Sequence, residues 1–398
     1  MGDTMGEKLE RVFMSMIKME NVYINGIGRT KFGALNRTLP ELAYDAMYNA
    51  IKDSDLSIND IGAIVVANFL GGPGQGQLHI NSLIASLLPG INIPIFRVET
   101  ACASGGIAVQ QGALLLENYE NVLVLGVEKL NDSSTLKITK NLAMAGDDLA
   151  DQKEGVIFPA QYAMIASQYI KKYGASREDL SLVSLKNHKT ALKNPLAHFY
   201  HKNVELEMIN KSPDVCSPFN LFDCSPISDG AAALVLSKKY RSKRDIKILA
   251  SESATDTISL SHRKDITSFK AAKIAAKKAY EKANVLPEDI DIAQVHDCFT
   301  IAEILALEDL GFCEEGKAIS AYRENSFPLN GKLHINTDGG LIGDGHPVGA
   351  TGVAQIYEVV EQLRGEADKR QVKDAKIGLT HNIGGAGGTC VVHILGEK

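Results

Sequence analysis

Two stretches of this chain repeat one another, and a repeated unit restricts the possible folds more than any other feature of the sequence. Residues 39–66 and 268–295 keep one spacing along their length, so that Asp60 in the first stretch corresponds to Asp289 in the second. Each stretch indicates an alanine-rich helix, a short acidic turn and a buried strand. A turn, a long helix and a strand then follow in both copies. The sequence therefore predicts two α/β halves related by a pseudo-twofold axis.

The rest of the chain is divided around these two halves. We expect the first half to comprise residues 20–130 and 221–250, and the second half to comprise residues 251–398. Residues 131–220 match neither copy and are rich in Lys, Asn, His and Asp, with several prolines. This composition favours an inserted loop domain over the face that carries the site. Residues 1–19 form a methionine-rich N-terminal extension.

The apolar patterns also predict individual elements. Strands are expected at 22–28, 61–68, 122–128, 231–237, 246–251, 292–296 and 377–380. Helices are expected at 39–52, 104–117, 301–310 and 348–364.

Composition argues against several classes of protein. The formal net charge is −6, whereas binding along a nucleic-acid backbone needs a basic surface. The sequence has no run of about 18 apolar residues, which a transmembrane helix would need, so no membrane partner is expected. The six cysteines include no CxxC pair and the first residues lack an export-type apolar stretch. We therefore expect reduced thiols and a cytoplasmic location.

A cysteine before a predicted helix is the first candidate for chemistry. Cys102 lies in the string Glu-Thr-Ala-Cys-Ala-Ser-Gly-Gly, whose small residues let a substrate approach. A helix N-terminus lowers the pKa of a thiol, so the position predicts a nucleophile. The alternative is a buried structural cysteine.

A histidine occupies the corresponding point of the second copy. His346 is held between Gly345 and Pro347 in a glycine-rich segment that precedes a long helix. A phosphate loop and a dinucleotide fingerprint are disfavoured, because no Gly-Lys-Ser/Thr follows and the glycine spacing is wrong. Since the two copies face one another, we expect His346 to act as the base for Cys102.

Two further motifs follow predicted strands. His296 and Cys298 belong to a His-Asp-Cys-Phe string at a strand end, a usual place for a site in α/β proteins. No tetrahedral ligand spacing accompanies it, so no metal site is predicted. A glycine-rich turn, His-Asn-Ile-Gly-Gly-Ala-Gly-Gly, begins at His381 and suits backbone N–H groups that bind an oxyanion.

In this order the motifs resemble those of the thiolase superfamily, and the resemblance covers residues 22–395. The His-Asp-Cys-Phe string resembles the sterol-carrier-protein-type and archaeal-type acetoacetyl-CoA thiolases, where ordinary thiolases have Asn-Glu-Ala-Phe. The resemblance implies duplicated α/β halves in a layered αβαβα arrangement with an inserted loop domain. It also implies acyl-CoA C-acetyltransferase activity with no bound cofactor, coenzyme A being substrate and product.

The resemblance further assigns roles to residues. Cys102 would accept the acyl group, with His346 as its base. His296 and His346 would bind the enolate oxygen, and the backbone N–H groups of Cys102 and Gly384 would bind the oxyanion of the tetrahedral intermediate.

The chain departs from the ordinary pattern at one catalytic position. Ordinary thiolases carry a proton-shuttling cysteine where this sequence has Asn382. An asparagine side chain is neither acid nor base at neutral pH. We therefore predict that Cys298 removes the C2 proton of acetyl-CoA.

Partners and rival functions also follow from the resemblance. It implies a homodimer or tetramer and, for archaeal-type relatives, a complex with hydroxymethylglutaryl-CoA synthase through a small zinc-ribbon/OB-fold protein. A decarboxylating 3-ketoacyl synthase is one alternative, because a Cys-His-His set suits it. A degradative 3-ketoacyl-CoA thiolase and a weakly catalytic acyl-CoA scaffold are the others. The Cys298 neighbour and the Gly-His-Pro-Val-Gly-Ala-Thr-Gly string favour a thiolase over the synthase.

Overall fold

The computed structural model describes residues 21–396, and the predicted extension at 1–19 lies outside them. The strands are β1 (Tyr23–Arg29), β2 (Ala63–Ala67), β3 (Ile95–Val98), β4 (Asn121–Glu128), β5 (Asp214–Cys216), β6 (Phe219–Asn220), β7 (Gly230–Ser237), β8 (Ile246–Thr255), β9 (Ile292–Gln294), β10 (His334–Ile335), β11 (Ile377–Gly384) and β12 (Thr389–Gly396). The helices are α1 (Leu39–Asp53), α2 (Gly71–Gln75), α3 (Ile80–Ala85), α4 (Ser104–Leu115), α5 (Thr135–Leu142), α6 (Phe158–Tyr173), α7 (Arg177–Ala191), α8 (Leu206–Asn210), α9 (Lys270–Ala283), α10 (Thr300–Asp309), α11 (Ala318–Arg323), α12 (Gly340–Gly343) and α13 (Val348–Arg364). None of these helices is long and apolar enough to cross a membrane.

The large sheet shows the duplication directly. Its order is β10-β9-β11-β12-β8-β1-β7-β4-β2-β3, so each half has the same order when followed outward from the centre. The parallel pairs β2–β3 and β2–β4 correspond to β9–β10 and β9–β11, and the remaining pairs in both halves are antiparallel. The halves join through a short antiparallel contact between β1 and β8.

Helices and sheet halves stack in five layers. Helix α1 packs on the outer face of the first half, where alternate residues of β4 such as Leu123 and Leu125 point towards it. Their neighbours Val122 and Val124 point to the inner face, towards α4 and α13. These two helices pack against each other and separate the first half from the second, whose outer face carries α9. The arrangement confirms the predicted αβαβα layers and duplicated halves.

Local sequence explains why the repeated helix begins where it does. Thr38 caps α1: its hydroxyl accepts a hydrogen bond from the Glu41 backbone N–H, and the Glu41 carboxylate accepts one from the Thr38 N–H. Pro40 lies in the first turn, where its missing N–H costs nothing. The alanines of α1 are buried, as are those of α9 except the last, Ala283, so both helices lie close to the sheet.

Several element boundaries differ from the prediction. Strand β8 belongs by its pairing to the second half but begins at Ile246, inside the 221–250 segment expected in the first half. Strands β3, β10 and β12 were not predicted, because the first two are short and β12 follows a glycine-rich turn. Residues 131–220 contain α5 to α8 and the separate β5–β6 hairpin, and none of these elements joins the large sheet.

Candidate active site

A tight turn between β3 and α4 presents Cys102. Ala101 has a φ of 52°, a left-handed conformation that costs a non-glycine residue about 1 kcal/mol or more. The turn is held by Ser104, whose hydroxyl donates to the Ala101 carbonyl oxygen at 2.5 Å and accepts from the Thr100 N–H at 2.9 Å. The partly buried thiol is thereby fixed two residues before the helix begins.

The corresponding turn of the second half presents His346, two residues before α13. The short helix α12 lies between β10 and this turn, so the two copies are not identical here. Nδ1 of His346 lies 2.7 Å from the Thr351 hydroxyl, which is also 3.2 Å from the Pro347 carbonyl oxygen. While the hydroxyl donates to the Pro347 oxygen, it accepts a hydrogen bond from Nδ1–H of His346. By giving up the bond to Pro347 it can donate to Nδ1 instead, so this partner permits either tautomer of His346.

The predicted nucleophile and both predicted histidines meet at the seam between the halves. Sγ of Cys102 and a ring nitrogen each of His296 and His346 lie within 4.8 Å of one another. The two imidazole rings stand edge to face, with centroids 5.2 Å apart. These three residues show no metal-ligand spacing along the chain, yet they are ligand types that lie close together in the fold.

The side chain between His296 and Cys298 turns the other way and anchors their loop. Both carboxylate oxygens of Asp297 are held, one by the Leu341 N–H at 2.6 Å and the other by the Asn187 amide at 2.7 Å. Asn187 comes from α7 of the inserted segment, so that segment supports the site as well as covering it.

Cys298 faces the same region as Cys102 and is buried. Burial raises the pKa of the Cys298 thiol well above its usual value, the nearby Cys102 raises this pKa further, and a hydrogen bond with Tyr162 opposes both effects. Tyr162 itself donates to the Gly385 carbonyl oxygen at 3.0 Å and stacks on Phe299. Sequence reasoning did not single out Tyr162, which lies in α6 with no motif around it.

Backbone donors reach the thiol from two directions. The N–H groups of Cys102 itself and of Gly385 both stabilise a charge on the Cys102 sulfur. Gly385 is one residue beyond the predicted Gly384, which closes β11 with a Cβ position only 2.4 Å from the Thr100 carbonyl oxygen. The role of the Gly384 N–H as an oxyanion donor stays a prediction, and the Gly385 N–H is a second candidate for the same role.

The electrostatics of the free site differ from the expectation of an activated thiolate. Burial raises the pKa of the Cys102 thiol to about 12, and the carboxylates of Glu128 and Glu99 act in the same direction. The expected lowering by the helix N-terminus is therefore wrong, since loss of water outweighs it. Burial also lowers the pKa of His346 to about 3, and lowers that of His296 well below its usual value. The free site thus holds a neutral thiol beside two neutral imidazoles.

Cys102, Cys298 and His346 line a cavity of about 520 Å³, whereas the fully buried His296 is not among its lining residues. Its lining also includes aromatic side chains from the inserted segment, from residue 222 just after that segment, and from the His-Asp-Cys-Phe loop. The aromatic residues are Phe158, Tyr162, Phe199, Phe222 and Phe299. A mostly apolar pocket with a few convergent polar groups is typical of a substrate site.

Comparison with known proteins assigns the family. The family model "Thiolase, N-terminal domain" matches residues 22–217, and "Thiolase C-terminal domain-like" matches residues 252–397. The chain belongs to the thiolase family. The predicted resemblance is thereby confirmed.

Relatives of this thiolase cover almost all of it. The acetyl-CoA acetyltransferase of Methanothermobacter thermautotrophicus is 44% identical over 94% of this chain and 99% of its own length. Human sterol carrier protein 2 is 35% identical over 94% of this chain and 71% of its own length. Among solved structures, the one titled "Ltp2-ChsH2(DUF35) aldolase" covers 94% of this thiolase and 97% of that chain, with a TM-score of 0.80 and 26% identity.

Proposed function

We propose that this thiolase condenses two molecules of acetyl-CoA to acetoacetyl-CoA and coenzyme A, and catalyses the reverse thiolysis, through an acyl-Cys102 intermediate. The convergence of Cys102, His346, His296 and Cys298 beside one apolar cavity carries this proposal. The choice of acetyl-CoA is supported by the archaeal relative, which is named an acetyl-CoA acetyltransferase. Coenzyme A is substrate and product, and no bound cofactor is invoked.

In the first step the Cys102 thiol attacks the acyl-CoA carbonyl carbon. Neutral His346 accepts the thiol proton and passes it to the departing coenzyme A sulfur. The oxyanion of the tetrahedral intermediate is bound by the backbone N–H groups of Cys102 and the 384–385 turn. A thiol with a raised pKa attacks only when its proton is taken in the same event, so this step requires the neighbouring base.

In the second step the thiolate of Cys298 takes a C2 proton from acetyl-CoA. Because burial raises the pKa of this thiol, the thiolate is a minor form that arises by loss of the thiol proton to solvent. His296 and His346 bind the enolate oxygen that develops, while the carbanion attacks the carbonyl carbon of acetyl-Cys102. The new carbon–carbon bond forms as the bond to Cys102 sulfur breaks. The Cys102 thiolate then recovers a proton from Cys298, which closes the cycle.

A degradative 3-ketoacyl-CoA thiolase is the second candidate, favoured by the size and aromatic lining of the cavity. Thiolysis rates with acetoacetyl-CoA and with medium-chain 3-ketoacyl-CoA separate it from the first. A decarboxylating synthase needs no base, because loss of CO₂ generates the carbanion, so that reaction would not use Cys298. Release of labelled CO₂ from a malonyl thioester, faster than turnover of acetyl-CoA, would favour the synthase instead.

The proposed partners are a second copy of the chain, hydroxymethylglutaryl-CoA synthase and a small zinc-ribbon/OB-fold protein. The structure of the Ltp2-ChsH2(DUF35) aldolase supports a companion protein, since the name of that enzyme includes a DUF35 component. The free cysteines of the described residues support a cytoplasmic location. Purification from native extract tests the complex: a fully active homo-oligomer without a companion contradicts it.

Mass spectrometry after incubation with acetyl-CoA tests the proposed function. We expect one acetyl group on the peptide that contains Cys102, and loss of both adduct and thiolysis in Cys102→Ala. The substitution removes only a small side chain, so the variant should keep its fold by circular dichroism. An adduct found solely on another cysteine would refute the assignment.

A further inference from the structure

We propose that Asn382 is a positioning residue that fixes His296 as a hydrogen-bond donor and thereby keeps the trio of Cys102, His296 and His346 from binding a transition metal. Its catalytic part rests on the proposed function, while its metal-binding part does not.

Backbone groups determine how the Asn382 amide is turned. Oδ1 lies 3.2 Å from the N–H of Gly106, which can only donate. Nδ2 lies 3.0 Å from the carbonyl oxygen of Cys102, which can only accept. Since both neighbours are unambiguous, the amide NH₂ faces Cys102 and the oxygen faces α4.

The same NH₂ group lies 3.1 Å from Nδ1 of His296. An amide NH₂ has no lone pair to offer, so Nδ1 accepts and the ring proton sits on Nε2. That nitrogen is buried and has no hydrogen-bond partner among the described residues. An unused donor beside the nucleophile is suited to a negative oxygen that forms only during the reaction.

The two histidines therefore differ in which tautomers they can adopt. His346 rests on a hydroxyl that serves as donor or acceptor, so it can release and recover a proton at Nε2. His296 rests on a donor alone and keeps one tautomer. The site thus contains one histidine that exchanges a proton and one that only donates a hydrogen bond.

The fixed tautomer also has a consequence for metals. One thiol and two neutral imidazoles within 4.8 Å of one another are ligand types that suit Zn²⁺ and Co²⁺. A metal needs a lone pair on Nε2 of His296, which would put a proton on Nδ1 against the Asn382 NH₂. Asn382 cannot rotate to relieve this clash without losing its bond to Gly106.

Neighbouring glycines make room for this amide. A Cβ on Gly352 would lie 2.4 Å from Oδ1 of Asn382, and one on Gly106 would lie 3.1 Å from it. The N-terminal parts of α4 and α13 therefore have glycines next to the Asn382 oxygen. Their missing side chains leave the space that the Asn382 amide occupies.

Co²⁺ titration of Asn382→Asp tests the proposal. The carboxylate accepts from Nδ1–H of His296 and frees Nε2, the arrangement that orients metal-binding histidines in many proteins. We expect thiolate-to-cobalt absorption in Asn382→Asp and none in the wild type. Condensation should fall by about 10²–10³-fold, as for loss of an oxyanion donor. Asn382→Ala, which releases Nδ1 without adding a charge, should bind Co²⁺ more weakly and serves if the aspartate variant does not fold.

Three further variants identify the ligands. Asn141→Asp adds the same charge to a buried amide that donates to the Pro73 carbonyl oxygen, and it should bind no Co²⁺. Adding Cys102→Ser to Asn382→Asp should remove the thiolate absorption, and adding His296→Gln should abolish binding. Equal Co²⁺ binding by wild type and Asn382→Asp, or none by either folded Asn382 variant, would overturn the proposal. Wild type inactive towards acetyl-CoA would instead refute the proposed function and leave the metal result standing.

Discussion

At the scale of single residues, the free site is uncharged where catalysis needs a thiolate. Burial favours the neutral forms of Cys102, His296 and His346. Charge separation is then reached only with substrate bound, when the N–H groups around the sulfur and the carbonyl oxygen take up the developing charge. The reactive anion is thus present for little of the time in the empty pocket.

Alkylation of Cys102 should consequently depend on pH far above neutrality. Because the pKa of this thiol is raised from 9.0 to about 12, the thiolate fraction keeps increasing as pH rises through and beyond 9. We expect the rate of iodoacetamide labelling, followed by mass spectrometry of the Cys102 peptide, to increase throughout that range. A rate that reaches its plateau near neutral pH would indicate a stabilised thiolate and contradict this picture.

Cys298→Ala should separate the two halves of the reaction. We expect Cys102 to become acetylated, while condensation and exchange of the C2 protons of acetyl-CoA with D₂O fall by about 10²–10⁴-fold, as for loss of a general base. Proton NMR of acetyl-CoA measures the exchange. Cys313→Ala, a partly buried cysteine outside the cavity lining, is the matched control and should leave exchange unchanged. Normal exchange in Cys298→Ala would assign the proton to another group.

The sequence predicted which reactive side chains form the site, but it did not predict the contacts that position them or set their pKa values. Local motifs were enough to predict the four reactive side chains of the site, because their turns and strand ends contain residue types typical of catalytic sites. The structure places these side chains together: Cys102, His346, His296 and Cys298. Asn382 looked like a lost catalytic cysteine, because its task depends on contacts with Gly106 and His296, far away in the chain. The pKa of Cys102 was missed for the same reason, since burial is a property of the packed molecule.

At the scale of elements, one carboxylate joins β4 to the start of α13. Oε2 of Glu128 accepts from the N–H groups of Phe69 and Gly349, at 2.9 and 3.0 Å. Oε1 accepts from the Asn68 amide and the Leu70 N–H, each at 3.0 Å. The helix that follows His346 is thereby tied to the first half of the sheet at its first turn.

Glu128→Gln should weaken this junction. Every neighbour of the carboxylate is a donor, so the amide NH₂ of glutamine leaves at least one buried N–H without an acceptor. We expect a loss of about 1–3 kcal/mol in the free energy of unfolding, measured by urea denaturation. Glu120→Gln, which breaks only an exposed pair with Lys239, should have almost no effect. Equal stabilities of the two variants would show that Glu128 does not join these elements.

Regular, well-buried elements were the easiest to predict. The helix at 348–364 has the expected bounds, and β4 and β7 each begin one residue earlier than expected. Strands β3 and β10 lie at the two edges of the sheet, where a half-exposed strand shows no continuous apolar run. Strand β12 was missed because it follows a glycine-rich turn, although it pairs with β8 and β11 in the sheet.

At the scale of the whole molecule, we propose the edge strand β3 as the place where a second copy of the chain binds. It pairs on one side only, and Phe96 is 46% exposed in the middle of it. Leu78, 76% exposed, lies near the same edge, since the Arg97 side chain reaches its carbonyl oxygen. An uncovered strand edge with apolar side chains favours association.

Phe96→Glu should therefore reduce the mass of the particle. We expect light scattering after size-exclusion chromatography to give an oligomer for the wild type and a smaller species for this variant, because a buried charge in the interface is unfavourable. Leu286→Glu places the same charge at a residue that is 58% exposed in the other half, and it should keep the wild-type mass. An unchanged mass for Phe96→Glu would place the interface elsewhere.

The matching strand orders of the two halves also bear on which residues such a site can contain. Two identical halves on separate chains, related by the same axis, would place identical residues on both sides of the seam. In a single chain each half has its own sequence, so that one turn carries Cys102 and its counterpart carries His346. Division of labour between a nucleophile and its base is thus something that the duplicated chain allows and a symmetric pair of identical halves forbids.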